Sequence, residues 1–138
     1  MSFEARGLNS VLNRVASIKE NLKNLDPILK IFGDIALESI DSNFDKGGRP
    51  VKWPAPKSGG KPLNRSKKLR NSIKYKVSRQ KTTVFTRLPY AAIQNYGGKI
   101  STKKGTYYMP RKRFMMLQKK DVKNMNKKLA RYIVTGQV

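Results

Sequence analysis

The sequence of 138 residues predicts an α+β fold, with helices at both ends and a small antiparallel sheet between them. Three observations predict this class. Residues 1–45 carry apolar side chains at helical spacing, residues 73–108 carry short alternating or β-branched runs, and residues 117–134 return to helical spacing. At this length the chain is expected to form a single domain, residues 1–138.

An N-terminal helical pair is predicted over residues 1–45. The first helix is expected over residues 3–24, and the second begins where Asp26 can act as an N-cap and Pro27 can take the first helical position. The apolar face of the first helix consists of Leu8, Val11, Leu12, Val15, Ile18, Leu22 and Leu25. Each helix has one such face, so the two are expected to pack together or against the sheet.

A long basic loop is predicted over residues 46–65, where four prolines and four glycines exclude a helix or a central strand. The loop contains the only tryptophan of the chain, Trp53. A structureless connection of about 20 residues is uncommon inside a compact domain, and such loops are usually functional or disordered. The loop is therefore predicted to be an extended docking segment.

Residues 66–116 are predicted to hold the sheet together with short helices. Ser66 can cap a helix over residues 67–73, and side chains then alternate between apolar and polar from residue 73 to residue 78, as in a half-buried strand. Residues 79–81 can turn the chain into an antiparallel partner strand over residues 83–87.

A second short helix and a second hairpin are predicted to follow. The helix covers residues 90–96, and Gly97 and Gly98 end it, one of them with a positive φ. The hairpin covers residues 99–108 and turns near residues 103–105.

The C-terminal segment contains the last predicted element. Residues 109–113 are basic and irregular, and a helix is then expected over residues 117–134 with Asp121 as its cap. The sequence contains no internal repeat.

Charge is distributed unevenly along the chain, which has 31 basic and 8 acidic residues and a net charge of +23. Residues 1–45 contain 5 basic and 7 acidic residues, whereas residues 46–120 contain 22 basic residues and no acid. Ordinary surfaces mix both signs because a single-sign surface repels itself. The acid-free segment predicts a face that meets a polyanion or an acidic partner; a merely soluble basic surface is the alternative.

The composition excludes several kinds of chemistry. Because the chain has no cysteine and no histidine, it cannot form disulfides, thiolate or imidazole metal sites, or the histidine-dependent catalytic triads. The glycine-rich run SGGKP at residues 58–62 lacks the spacing and the Ser or Thr of a phosphate-binding loop. The acids lie on the outer faces of the predicted helices. We therefore expect no enzyme, no catalytic residue, no metal site and no cofactor.

The N-terminal sequence lacks the basic and apolar regions of a signal peptide, and no stretch approaches the roughly 18 apolar residues of a membrane span. The protein is expected to be made in a cytoplasm, with no membrane partner.

One cluster of cations lies beside aromatic residues. Arg111, Lys112 and Arg113 follow Tyr107 and Tyr108 closely. This mixture suits phosphate contact with base stacking, but a basic turn with its aromatics in the core is an equal alternative. No helix-turn-helix, zinc-finger or RNA-binding-sheet signature is present, so a sequence-specific DNA reader is not expected.

Four segments carry a resemblance when they are read in order. They are FDKGGRPVKW at residues 44–53, KLRNSI at 68–73, YAAIQNYGG at 90–98 and MPRKRFMML at 109–117. Together they resemble the Mu-like phage virion morphogenesis family, the tail-completion proteins of contractile-tailed phages. The resemblance covers about residues 28–133, and Gln94 stands where that family often has histidine.

The resemblance implies a structural protein of the virion, at the neck or the top of the tail, made in the bacterial host cytoplasm. It implies a homo-oligomeric ring, a hexamer or a dodecamer, that joins tail to head with other neck, tail-tube or connector proteins. It also implies that a neighbouring subunit buries Trp53, since aromatic anchors contribute most of the binding energy at interfaces. The candidate subunit-interface residues are Arg49, Trp53, Pro54, Tyr90, Gln94 and Phe114.

A ring around DNA would also account for the acid-free segment, because its lumen or rim would lie near the packaged genome. The candidates for DNA or another anionic surface, bound without sequence specificity, are Lys67, Lys68, Arg70, Arg111, Lys112 and Arg113. The alternative is a stand-alone nucleic-acid-binding protein without sequence specificity. Only the ring requires an apolar self-interface and the Trp53 loop.

Overall fold

The computed structural model describes residues 7–55 and 67–138, and it confirms the α+β class. Its elements, in order, are α1 (Leu8–Lys23), α2 (Asp26–Asp45), α3 (Lys68–Ser72), β1 (Lys74–Ser78), β2 (Lys81–Phe85), α4 (Ala91–Tyr96), β3 (Gly98–Thr102), β4 (Gly105–Met109) and α5 (Lys119–Thr135). The predicted first turn at residues 3–6 and the predicted cap Ser66 lie outside the described residues.

The strands form two separate antiparallel hairpins rather than one sheet. In the first hairpin Lys74 of β1 lies opposite Phe85 of β2, and the pair packs on α2. In the second hairpin Gly98 of β3 lies opposite Met109 of β4, and these strands pack mainly against each other.

The core lies between α2, α3, α4 and the segments that follow α2 and β4. Its buried side chains are Ile40, Phe44, Trp53, Leu69, Ile73, Ala91 and Phe114. The Trp53 ring is only 8% exposed and meets Phe44 edge-on, with 5.6 Å between ring centroids and 78° between ring planes. Such edge-to-face pairs add to the stabilisation from area burial.

The burial of Trp53 corrects the prediction that the chain itself cannot cover this residue. Gly47 and Gly48 have φ values of 64° and 112°, and they turn the chain back onto α2. The amide of Trp53 then donates to the carbonyl oxygen of Gly47 at 2.8 Å. Residues 46–55 are therefore part of the folded domain, and the predicted docking loop from residue 56 to residue 65 lies outside the described residues.

Both predicted N-terminal helices are present, but α1 packs against α5 rather than mainly against α2, so their expected packing together is wrong. The side-chain amide of Asn21 donates to the carbonyl oxygen of Ile133 at 2.9 Å, and the Tyr132 hydroxyl donates to the carbonyl oxygen of Asn24. Toward its N-terminus, the described residues leave the apolar side chains of α1 exposed. The large apolar side chains that α1 exposes are Leu8, Val11, Leu12, Val15 and Leu22. A row of this kind is typical of protein–protein contact surfaces.

Two helix starts differ in detail from their predictions. The residue before α2 is Leu25, so Asp26 is already helical and its charge lies in the first turn, where a helix dipole favours it. In α5 the cap is Gln118, and Asp121 is the third helical residue, whose carboxylate accepts from the Gln118 amide at 2.8 Å. This reciprocal arrangement is a capping box.

Candidate functional site

A basic cleft lies between the segment that follows α2 and the segment that follows β4. Its volume is about 270 Å³. The residues that line it are Arg49, Pro50, Val51, Lys52, Trp53, Arg111, Arg113 and Met116. Four of these eight side chains are cationic and none is acidic. The cleft thus unites residues that the sequence assigned to two different surfaces.

The first wall of the cleft is held by α2. Arg49 donates from Nε to Asn43 Oδ1 at 2.9 Å, and from Nη2 to the Ser39 carbonyl oxygen at 2.6 Å. These bonds fix one edge of the guanidinium, so Arg49 acts first as an intrachain clamp. Gly48 allows the wall to turn, because a Cβ there would lie 2.5 Å from the carbonyl oxygen of Val51.

The second wall is held by α4 and by Asn43. Gly97 and Gly98 have φ values of 70° and 143°, which confirms the predicted positive φ at this turn. A Cβ on Gly97 would lie 2.8 Å from the carbonyl oxygen of Met109 and 2.9 Å from the amide of Arg111. Only glycine therefore lets the chain after β4 pass so close to the end of α4.

The side chains of the cluster Arg111, Lys112 and Arg113 lie in two different environments. Arg111 and Arg113 are exposed and line the cleft, whereas Lys112 is half-buried between them. The Lys112 ammonium lies 3.5 Å from Gln94 Oε1, and burial lowers the pKa of Lys112 below its ordinary value. Two cations of the predicted three therefore face the cleft.

Arg70 does not belong to an open cationic surface, which corrects its assignment. Its Nη2 lies 2.7 Å from Asp45 Oδ1, and its Nε pairs with Asp41. Hydrogen bonding to Arg70 lowers the pKa of the Asp41 carboxyl. The guanidinium is thus neutralised within the chain. Lys67 and Lys68 are exposed at the start of α3 and do not line the cleft.

The predicted interface residues also differ in exposure, because some are buried in the core and others are accessible. Trp53 and Phe114 are buried in the chain's own core, so neither can serve as an exposed anchor for a neighbouring subunit. Pro54 is exposed, and Tyr90 is partly exposed at the start of α4. Gln94 is half-buried, and its carbonyl oxygen accepts from the Lys112 amide at 2.9 Å. These three remain predictions as subunit contacts.

Sequence reasoning missed the residue that holds both walls, Asn43. Its side chain is fully buried, and Nδ2 donates to the carbonyl oxygens of Phe114 at 2.8 Å and Met116 at 3.0 Å. A signal was present, because Asn43 follows Ile40 and Ala36 at helical spacing and so interrupts an apolar face with an amide. Lys52 and Val51 also line the cleft, but no comparable sequence pattern singles them out.

The described part of the chain contains no cluster of three acidic side chains that could hold a metal ion. None of its helices combines the length and apolarity that a membrane crossing requires. The cleft itself offers apolar surface together with the cationic side chains of Arg49, Lys52, Arg111 and Arg113. Its arrangement suits the binding of phosphates or carboxylates.

The comparisons with known proteins give one similarity. No protein-family model and no solved structure matches the chain. The chain is similar to "Mu-like prophage FluMu G protein 2" of Haemophilus influenzae, with 31% identity over 96 residues. The alignment covers 69% of this chain and 67% of the relative. The chain therefore belongs to the family of Mu-like phage proteins that includes FluMu G protein 2.

Proposed function

We propose that this protein is a structural component of a Mu-like phage virion, without enzymatic activity, that completes the tail and joins it to the head at the neck. The observation that carries the proposal is the basic cleft. In a Mu-like phage protein, a surface with four cations and no acid is suited to packaged DNA or to an acidic protein at the joint.

The exposed apolar row on α1 supports self-association. A chain that acts alone on nucleic acid has no use for such a row, whereas a ring of identical subunits requires apolar contacts between copies. We propose a closed ring, a hexamer or a dodecamer, around the DNA channel, in contact with other neck, tail-tube or connector proteins. The protein would be made in the host cytoplasm and end in the virion.

Electron microscopy of phage particles that carry a tagged copy of the protein tests the location. We expect the label at the junction between head and tail, and we expect particles that lack the protein to accumulate as separate heads and tails. A label on the capsid surface or on the tail fibres, or normal particles without the protein, would contradict a role in joining.

A stand-alone nucleic-acid-binding protein is the second candidate, favoured by the exposure of Arg111 and Arg113. Measuring the molecular mass at low and high salt, with nucleic acid removed, separates the two. A ring held by apolar contacts should persist at high salt, because screening weakens charge contacts and not apolar ones. A monomer at both salt concentrations would favour the second candidate.

A further inference from the structure

The hairpin of β3 and β4 receives little support from the rest of the described chain. All of its residues except Ile100 and Met109 are exposed, and Tyr107 and Tyr108 expose 53% and 79% of their surface. A two-stranded hairpin in water is marginally stable by itself. Exposed aromatic side chains on such an arm are typical of a segment that a partner covers.

An acidic groove lies elsewhere on the chain. Asp34, Glu38, Asp41 and Asp45 are all exposed, and their spacing of three and four residues places them on one face of α2. Arg70 pairs with Asp41 and Asp45, so one guanidinium balances part of the negative charge of these four carboxylates. This face stands out in a chain that carries 31 basic and 8 acidic residues.

An open cavity of about 330 Å³ adjoins this acidic face. Leu37 and the edges of Ile40 and Ile73 give its lining a small apolar area, and Glu38, Asp41 and Arg70 line it as well. The groove therefore combines apolar surface with negative charge. A partner surface that is complementary to this groove would present an aromatic ring beside cationic side chains.

We infer that the β3–β4 hairpin of one copy docks into the α2 groove of a second copy. The inference rests on the proposed ring and adds a second contact between its subunits, beside the apolar contact proposed on α1. The hairpin carries Lys99, Lys103 and Lys104 and no acid, so its positive charge is complementary to the carboxylates of the α2 face. Lys99 lies opposite Tyr108 in the hairpin, so these two side chains share one face, on which Tyr108 supplies the aromatic anchor.

The two surfaces also match in length. A strand of five residues extends about 17 Å, and Asp34 and Asp45 lie 11 positions apart, or about 16.5 Å, along α2. The hairpin and the groove are different surfaces of the chain. When the hairpin of one copy docks into the groove of a second copy, the first copy still has a free groove and the second still has a free hairpin. Such a heterologous contact repeats from copy to copy and closes into a ring when its rotation allows.

The decisive experiment uses two charge reversals on the full chain. One variant carries Lys103→Glu and Lys104→Glu in the hairpin, and the other carries Glu38→Lys in the groove. Each variant alone should assemble roughly tenfold more weakly or worse, because like charges then face each other. An equal mixture should assemble again, since the reversed hairpin of one variant meets the reversed groove of the other.

Tyr108→Ser tests the aromatic anchor, with Tyr96→Ser as its matched control because Tyr96 is 68% exposed outside the strands. Assembly should weaken about tenfold for Tyr108→Ser and stay unchanged for Tyr96→Ser. Circular dichroism of each variant checks that the chain is folded. Assembly that survives all hairpin changes in folded variants, or a mixture that fails to recover, overturns the docking and leaves the ring standing. A wild-type protein that stays monomeric overturns both.

Discussion

Asn43 Oδ1 accepts a hydrogen bond from Arg49 Nε at 2.9 Å, although Arg49 lies in a segment rich in proline and glycine. The same Asn43 side chain donates to two carbonyl oxygens in the segment after β4. One buried amide therefore satisfies polar groups from both walls of the basic cleft. Since α2 carries Asn43, the cleft is positioned by the most buried helix of the domain.

Replacing Asn43 with Ala should destabilise the protein by about 3 kcal/mol, because it leaves buried backbone acceptors without donors. Chemical denaturation measures the free energy of unfolding. Asn126→Ala is the control, since Asn126 is exposed on α5 and should change stability by less than about 0.5 kcal/mol. Equal stability of the two variants would mean that the Asn43 bonds contribute nothing.

Trp53→Ala should destabilise the isolated monomer by about 3–5 kcal/mol, as expected for loss of a large aromatic side chain from a core. Because Trp53 is the only tryptophan, its fluorescence in the wild type should shift to longer wavelength on unfolding. Trp53→Phe should lose less stability, since it keeps a ring beside Phe44. If the Trp53→Ala monomer keeps the melting temperature of the wild type, the assignment of Trp53 to the core is wrong.

The sequence predicted the elements better than their partners. Periodicity located α2 and the first hairpin because their apolar faces are buried, and the glycine pair after residue 96 predicted a turn with positive φ. The partner of α1 was not predictable, since an apolar row fits α5 as well as α2. For Trp53, local composition indicated a loop but could not show that Gly47 and Gly48 return that loop to Phe44.

Gly33→Ala should destabilise the protein, although alanine normally stabilises a helix interior by about 1 kcal/mol relative to glycine. A Cβ at position 33 would lie 2.5 Å from Cγ of Tyr75, whose ring packs across α2 and whose hydroxyl donates to Asp34 Oδ1 at 2.9 Å. In a Tyr75→Ala background the same change should become neutral or stabilising. A double-mutant cycle measures this reversal of sign, and additive effects would contradict the clash.

Stability should fall in acid partly through Asp41. Its folded-state pKa lies below the ordinary value of 3.8, so its contribution is present above pH 3.8 and is lost as the pH falls through the folded value. The Asp41 side chain is 53% exposed, so solvent screening limits the contribution to about 1 kcal/mol or less. Asp41→Asn should reduce stability more at pH 6 than at pH 2. A loss that is equal at both pH values would exclude the ion pair as its cause.

The cleft should bind DNA through phosphates alone. Changing both Arg111 and Arg113 to Gln should weaken binding to short duplexes and reduce the slope of log affinity against log salt by about 2, because each phosphate contact contributes roughly 0.9 to that slope. Lys112→Gln is the matched control, since Lys112 is half-buried, lies beside Gln94 and does not line the cleft; its slope should change less. Neither variant should alter the preference between DNA sequences, since phosphate contacts position a protein without specifying bases.

Tight, sequence-selective binding that tolerates salt would favour a regulatory protein. If no DNA binds even at low salt, the prediction that the cleft meets DNA is wrong, and binding of an acidic protein at the joint is the alternative to test next.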